Sequence, residues 1–257
     1  MKTKPCYDTD LLSAVRIGAT TMTLVAFATG STMSHAAPGG VSGASMWLDA
    51  RFQATPSQWV DRSGNNNHAN QPFPADQPEI TLGHNFHPTV RFTQSQISSQ
   101  PIETGLQGAY VHYDINTITP SDFTPESSIF IVGRRTHQYE TFLELGNNVN
   151  RGFTGLIASP HYELFDVYTE NGLPNVSPAG INKLILFEAT TPTTTGVDPV
   201  NTPLAIGRGT QAFRHLRGDI SEIIFYKTSL DATQTQQIRS YLAVKYGISL
   251  EQQNTQN

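Results

Sequence analysis

From residue 44 onward, apolar positions recur with a period of two or in short unbroken runs, bounded by Gly, Pro and Asn clusters. Such segments are ASMWLDA (44–50), SQWV (57–60), TVRF (89–92), AYVHYD (109–114), SSIFIVGR (127–134) and ETFLELG (140–146). They continue with GFTGLIAS (152–159), YELFDVYT (162–169), KLILFEAT (183–190), PLAIGR (203–208) and GDISEIIFYK (218–227). Turn chemistry such as ENGLP, SPAG and TTGVDP separates them. About eleven strands therefore follow one another with no helical pattern between neighbours, which excludes a parallel βαβ sheet. An all-β fold is predicted, an antiparallel two-sheet sandwich.

One helix is expected, and it closes the chain. In SLDATQTQQIRSYLAVKYGIS, Asp231 caps the first turn and Gln234 reaches back to it, a capping box. Ile238, Tyr241, Leu242 and Lys245 fall at i, i+3, i+4 and i+7, a narrow stripe along which the Lys245 stem is expected to lie. Gly247 and then Ile248 supply a Schellman ending. The stripe should pack on the sandwich, as a lid rather than an active element.

Composition agrees with one globular domain: 257 residues, 37% hydrophobic and 14% charged, with 20 Gly and 16 Pro. The first 36 residues read as an export signal. Lys2, Lys4 and Arg16 precede an apolar run at 17–28, and Ser34-His35-Ala36 forms a small-x-small site before Ala37. The run is too short for a membrane span, which needs roughly 20 apolar residues. The expected organisation is a signal peptide at 1–36, a sandwich domain at 37–250 and a polar tail at 251–257. Export to the periplasm, cell surface or medium follows, with no membrane insertion after cleavage.

Removing the leader removes Cys6, the single cysteine, and with it any disulfide or thiol chemistry. It leaves 13 basic against 19 acidic residues, a net charge of −6. An acidic chain with three lysines has no footprint for nucleic acid.

The richest candidate for chemistry is WVDRSGNNNHANQP, residues 59–72. An EF-hand loop needs a bidentate Glu at its twelfth position, and counting from Asp61 that position is Pro72. The turn reading has a direct basis. Asp61, Ser63, Asn65 and Asn67 are residues that bond neighbouring backbone, and Gly64 tolerates positive φ. A structural turn is favoured over a loop that helps hold calcium, and over direct ligand contact. No other cofactor or metal is expected.

Two blocks carry a family resemblance. MWLDA, WVDRSGNNNHANQP and HPTVRF at the front, and RGDISEIIFYKTSLDATQTQQIRSYLAVKYGISL at the back, resemble bacterial domains of the concanavalin A-like lectin/glucanase superfamily, also called laminin-G-like. The blocks bracket residues 41–250, and the middle matches only in strand rhythm. The resemblance implies a jelly-roll order for the sandwich, within secreted or surface proteins. Where the family phrase has a second glycine this chain has Asn66, the residue best able to replace glycine in the left-handed region.

Glycosidases of that superfamily carry paired acids on one strand, typically E-x-D-x-E, because acid and nucleophile must flank the scissile bond. The spacing is absent here. Glu140 and Glu144 would share a face but stand roughly 13 Å apart at ~3.3 Å per residue. Asp219 and Glu222, three apart, are expected on opposite faces. The expectation is therefore a non-catalytic carbohydrate-binding or adhesion module, no enzyme, with glycan or another surface polymer as partner. A structural spacer is the alternative, and a glycoside hydrolase comes third.

Other motifs point less far. Arg217-Gly218-Asp219 spells an adhesion tripeptide but leads straight into an apolar strand, and His84 with His87 lacks a third ligand. Trp47 and Trp59 sit among apolar neighbours and are expected to be buried. Phe73, Phe86, Phe123 and Tyr139 are the aromatic residues expected in loops. For the asparagine-rich turn, Gly64→Val should lower the melting temperature without selectively abolishing ligand binding. Lost affinity at an unchanged melting temperature would refute that reading.

Overall fold

The structure is a computed structural model, described here for residues 37–93, 111–118, 122, 127–136, 140–145, 155–157, 165–170, 173–174, 182, 184–192, 204–208 and 215–250. The chain divides into two units, Met1–Ser34 and His35–Asn257. The leader falls outside the described residues, as do Cys6, Phe123, Tyr139 and the polar tail.

Strands β1 (Met46–Asp49), β2 (Gln58–Trp59), β3 (Ala69–Asn70), β4 (Glu79–Leu82), β5 (Pro88–Phe92), β6 (Tyr113–Ile115) and β7 (Ser128–Arg135) come first. After them come β8 (Thr141–Leu145), β9 (Gly155–Ile157), β10 (Phe165–Glu170), β11 (Leu173–Pro174), β12 (Leu184–Pro192), β13 (Leu204–Ile206) and β14 (Gly218–Tyr226). Helix α1 (Ala232–Tyr246) is last.

All strand pairs among the described residues are antiparallel. The larger sheet runs β11-β10-β12-β7-β14-β5-β4, and β1 also pairs with β14. The smaller sheet runs β2-β3-β6-β13-β8-β9. The fold is thus all-β, two antiparallel sheets and one helix. Each of the eleven sequence segments contains or overlaps a strand. The strands missed are β3 and β11, two residues each, and β4, an edge strand whose four residues are all at least partly exposed. Two residues show no periodicity, and an exposed edge shows no apolar face.

Two cores explain the unbroken apolar runs. Ile129, Ile131, Ile223 and Phe225 of the larger sheet meet Trp59, Tyr113, Leu143, Leu204 and Ile206 of the smaller one. The alternate residues Phe130, Val132, Leu186, Ile224 and Tyr226 face Ile238, Leu242 and Tyr246 of α1 instead. A strand covered on both faces is buried at every position, as all nine residues of β14 are: Ile220, Ile223, Ile224, Phe225 and Tyr226 are apolar, and the buried Asp219 and Glu222 are ion-paired.

The helix begins and ends on its own chemistry. Asp231 Oδ1 accepts from Gln234 N at 2.8 Å, and Gln234 Oε1 accepts from Asp231 N at 3.0 Å. Gly247 has φ 68, and Ile248 N returns to Ala243 O at 2.9 Å. On the N-terminal side, a 3-10 turn at Pro38–Gly40 packs on α1 so closely that a Cβ on Gly39 would lie 2.9 Å from Gln237 O.

Lys245 departs from expectation. Rather than lying along the stripe to reach water, it carries its ammonium to the sheet, 2.9 Å from Asp49 Oδ2 and 2.5 Å from Glu222 Oε2. Its side chain is 6% exposed and the two carboxylates are fully buried. Removing one partner from a buried cluster leaves charge uncompensated, which costs about 3–5 kcal/mol. Lys245→Met should accordingly destabilise the fold by about that amount in urea unfolding. A loss below about 1 kcal/mol would place the pair among weak surface contacts.

Candidate functional site

Two pairs of acids come together in the fold, on different sheets. In the first, Asp49 of β1 stands directly opposite Glu222 of β14. Their Cα atoms are therefore about 4.5–5.5 Å apart, close to the carboxyl spacing of a retaining glycosidase. Every oxygen is taken. Asp49 meets Arg51, Arg62 and Lys245. Glu222 Oε1 accepts from Trp47 Nε1 (2.6 Å) and Tyr241 Oη (3.0 Å), and Oε2 from Lys245 and Tyr246 Oη (2.8 Å). With 0% and 1% exposure under α1, these acids fasten the helix rather than meet a substrate.

The expectation that Asp219 and Glu222 point to opposite faces is corrected by a bulge. The register of β14 on β7 shifts between Ile220 and Glu222, and one extra residue reverses the alternation beyond it. Asp219 therefore shares the outer face with Glu222, held by Arg91 Nε at 2.8 Å and by Arg134. Gly218 is buried, and a Cβ there would fall 1.9 Å from Arg134 O, so the Arg-Gly-Asp tripeptide is a strand segment and no adhesive loop. Glu140 is also fully buried, accepting from Thr136 N at 2.9 Å with Arg217 at 3.7 Å.

The second pair lies in one row across the smaller sheet. Pairing aligns Gln58 with Asn70, Asn70 with Asp114, Asp114 with Ala205, and Ala205 with Glu144. Asp114 and Glu144 thus occupy backbone positions two strands apart, about 9–10 Å at ~4.8 Å per strand. The β6 alternation sends Tyr113 and Ile115 into the core, which puts His112 and Asp114 on the opposite face. Next to them, Gly207 ends β13 with φ 83, where the Phe92 ring leaves no room for a Cβ. That turn delivers Arg208, whose Nη2 lies 3.2 Å from Asp114 Oδ1 and whose Nη1 lies 3.3 Å from His112 Nε2.

The electrostatics of this corner favour an ionised Asp114. Burial pushes the Asp114 carboxyl up, but the His112 hydrogen bond and the Arg208 charge outweigh it and hold the group below its ordinary value. His215 is driven down to about 3, first by burial and then by Arg208, His112 and Arg217. His112 is fixed by its N–H on Asp76 O (3.0 Å) and by Gln71, whose Nε2 donates to His112 O (3.2 Å). Gln58 Nε2 donates to Asn70 Oδ1 at 2.8 Å. The Asp114 side chain is 31% exposed, and its buried Oδ1, ion-paired with Arg208, has no hydrogen bond among the described residues. Such an atom beside a surface opening suits a water or a substrate hydroxyl. Ala205, between Asp114 and Glu144, is buried, at 1% exposure.

The asparagine-rich loop is built differently. Asp61 Oδ1 accepts from Trp47 N (2.8 Å) and Ser63 N (2.9 Å), and Oδ2 from Ser63 Oγ (2.7 Å) and Asn67 N (2.9 Å). Asn65 Nδ2 donates to Ala44 O and Ser45 O, and Asn67 Nδ2 to Ser45 O at 2.6 Å. Gly64 and Asn66 take φ of 88 and 60. Among the described residues no group of three or more His, Cys, Asp or Glu is placed to hold a metal ion. Trp47 and Trp59 are both buried. Phe73 and Phe86 are exposed.

No protein-family model matches this chain, and no curated protein does. Solved structures do. Trypanosoma rangeli sialidase in complex with 2,3-difluoro-KDN matches at 12% identity and a TM-score of 0.38, over 80% of this chain and 33% of the sialidase. A GH54 α-L-arabinofuranosidase soaked with a cyclic sulfate inhibitor matches at 12% and 0.42, over 80% and 60%. An arabinofuranosidase complexed with arabinofuranosyl-α-1,2-xylobiose matches at 11% and 0.39, with the same coverage. The chain spans a third to three fifths of the length of these proteins. All three are glycosidases, contrary to the expectation of a non-catalytic module and of no enzyme. Reading acids along a single strand paired Glu144 with Glu140 and passed over Asp114, thirty positions from Glu144 in sequence. Only the strand pairing aligns them.

Asp49 offers a pH prediction. Burial pushes its carboxyl up, but Arg51 and Lys245 outweigh that and hold it at about 2, against an ordinary 3.8. A depressed pKa contributes stability that is present above the unfolded value and lost as pH falls towards the folded one. About 2 kcal/mol should therefore disappear between pH ~4 and ~2, and Asp49→Asn should flatten that part of the stability curve. An unchanged acid limb in the variant would contradict the assignment.

Proposed function

We propose that the row across the smaller sheet is a glycoside-hydrolysing site, with Asp114 as the base that activates water and Glu144 as the acid. The observation that carries this reading is the alignment Asn70-Asp114-Ala205-Glu144, two acids two strands apart on either side of a residue with almost no side chain. A backbone separation of about 9–10 Å approaches the ~6.5–9.5 Å between the carboxyl groups of inverting glycosidases, which admits a water beside the sugar. Asp114 is kept ionised by His112 and Arg208, the state a base requires. Its Oδ1, ion-paired with Arg208 and without a hydrogen bond among the described residues, is the acceptor for the water proton.

Glycan is the partner in this reading, and the amides of Gln58 and Asn70 stand in the same row to meet hydroxyl groups. The loop of Asp61, Ser63, Gly64, Asn65 and Asn67 serves as a clasp on the lead-in to β1, supported by its bonds to Ser45 and Trp47. Export after cleavage at Ala36 is supported by the leader composition. A concanavalin A-like jelly-roll order is supported by the front and back sequence blocks.

The test is hydrolysis of xylan, arabinan, mannan and laminarin, with the product anomer read by NMR. The expected product is the inverted anomer. Asp114→Asn and Glu144→Gln should each lower the rate by roughly 10²–10⁴, the usual share of acid–base catalysis, at an unchanged melting temperature. Equal rates in the variants, or no hydrolysis of any polymer by the unmodified protein, would reject the proposal.

A further inference from the structure

A second feature of the surface has no part in that row. The turn between β4 and β5 contains two successive residues in the left-handed region, Asn85 at φ 50 and Phe86 at φ 61. Asparagine enters this region readily, whereas a bulky residue there is an outlier that costs about 1–3 kcal/mol. Burial of the ring does not offset that cost, because Phe86 is 87% exposed. Everything around it is anchored. Asn85 Nδ2 donates to Lys245 O at 2.8 Å, and Gly83 N donates to His87 O at 2.8 Å. His87 N donates to His84 O at 3.0 Å, and the His87 ring stands edge-on to Tyr246 at 5.5 Å. The turn is held by its neighbours against helix α1, and the phenyl ring adds nothing to the fold. Glycine or asparagine would fit the backbone at position 86 at lower cost.

We propose that Phe86 is a stacking platform for the apolar face of a sugar ring, a glycan contact separate from the acid row. A rigid ring presented to solvent on an anchored turn loses little entropy on binding. Its only chemistry is a flat apolar face. His84, Asn85 and His87 in the same turn are polar, which suits a ligand that is apolar on one side and hydroxylated at its rim. Leu82 and Val244 are also exposed, at 70% and 82%, on the segments that meet where Asn85 bonds Lys245 O. A protein partner or a second copy of the chain is the competing occupant. The proposal rests on the carbohydrate reading given above, and the two are separated by the following experiment.

Affinity electrophoresis through xylan, arabinan, mannan and laminarin measures binding, and release of nitrophenol from small nitrophenyl glycosides measures chemistry. Phe86→Ala is expected to weaken retention in the preferred polymer about tenfold while leaving cleavage of the small glycoside unchanged. Phe86→Gly, which relieves the backbone, should weaken retention equally with a melting temperature equal to or above that of the unmodified protein. Asp114→Asn should show the reverse pattern, retention kept and cleavage lost. The stacking role is overturned by unchanged retention in both Phe86 variants or by a marked fall in melting temperature in Phe86→Gly. It is likewise overturned by self-association of the unmodified protein that Phe86→Ala abolishes in size-exclusion chromatography. Retention that depends on Phe86 without any cleavage would leave this inference standing and remove the hydrolytic one.

Discussion

The structure depends on a buried ammonium shared by two carboxylates. Pairing β1 with β14 sets Asp49 beside Glu222, and two anions at cross-strand distance repel one another unless a cation lies between them. Lys245 supplies it from the last turn of α1, while Arg51 and Arg62 close the Asp49 side and Trp47, Tyr241 and Tyr246 close the Glu222 side. Compared with an apolar patch of equal size, such a cluster gains little net stability. Its contribution here is registry. A one-residue slip of β1 on β14 would turn Asp49 away from Lys245 and bury it unpaired between the sheets.

That registry propagates through β14. The strand is flanked on one side by β7 and on the other by β5 and then β1, so its bulge at Ser221 lies where the second neighbour changes. The Ser221 carbonyl accepts from Ala50 N at 3.0 Å, and its hydroxyl donates to Thr89 Oγ1 at 3.2 Å, which ties both neighbours to the irregularity. The bulge brings Glu222 to the helix side while Ile220 and Ile223 stay in the core between the sheets. With the larger sheet covered by α1, the polar row with a partly exposed acid lies on the smaller sheet.

Both acid pairs show how a sheet assembles chemistry. Along one strand, two acids on the same face are at least about 6–7 Å apart and fixed in line. Across strands, separation comes in steps of ~4.8 Å, and partners come from anywhere in the chain. The same device yields a saturated, inaccessible pair at Asp49 and Glu222 and a partly exposed acid at Asp114. What differs is the surrounding donors: α1 brings a lysine and two tyrosines to the first, whereas Asp114 meets one arginine and one imidazole.

Local rules made much of this legible in advance. Alternation and turn residues located the longer strands, and the D-x-x-Q cap and the Gly247 stop bounded α1, because each depends on contacts within a few residues. The burial of Trp47 and Trp59 followed from apolar neighbours. Tertiary structure alone decided the rest. Lys245 read as a snorkelling stem because its two acceptors lie 196 and 23 positions away. Asp219 and Glu222 were assigned opposite faces because a bulge is a property of a pair of strands, invisible in either one. Asp114 and Glu144 came into one row only when β6, β13 and β8 paired, and the positive φ at Phe86 lies in a turn whose Asn85 bonds the end of the helix. The sequence determines which residues form strands and where the helix begins and ends. Long-range pairing determines which charges meet, since hydrogen-bond register is set between segments and not within them.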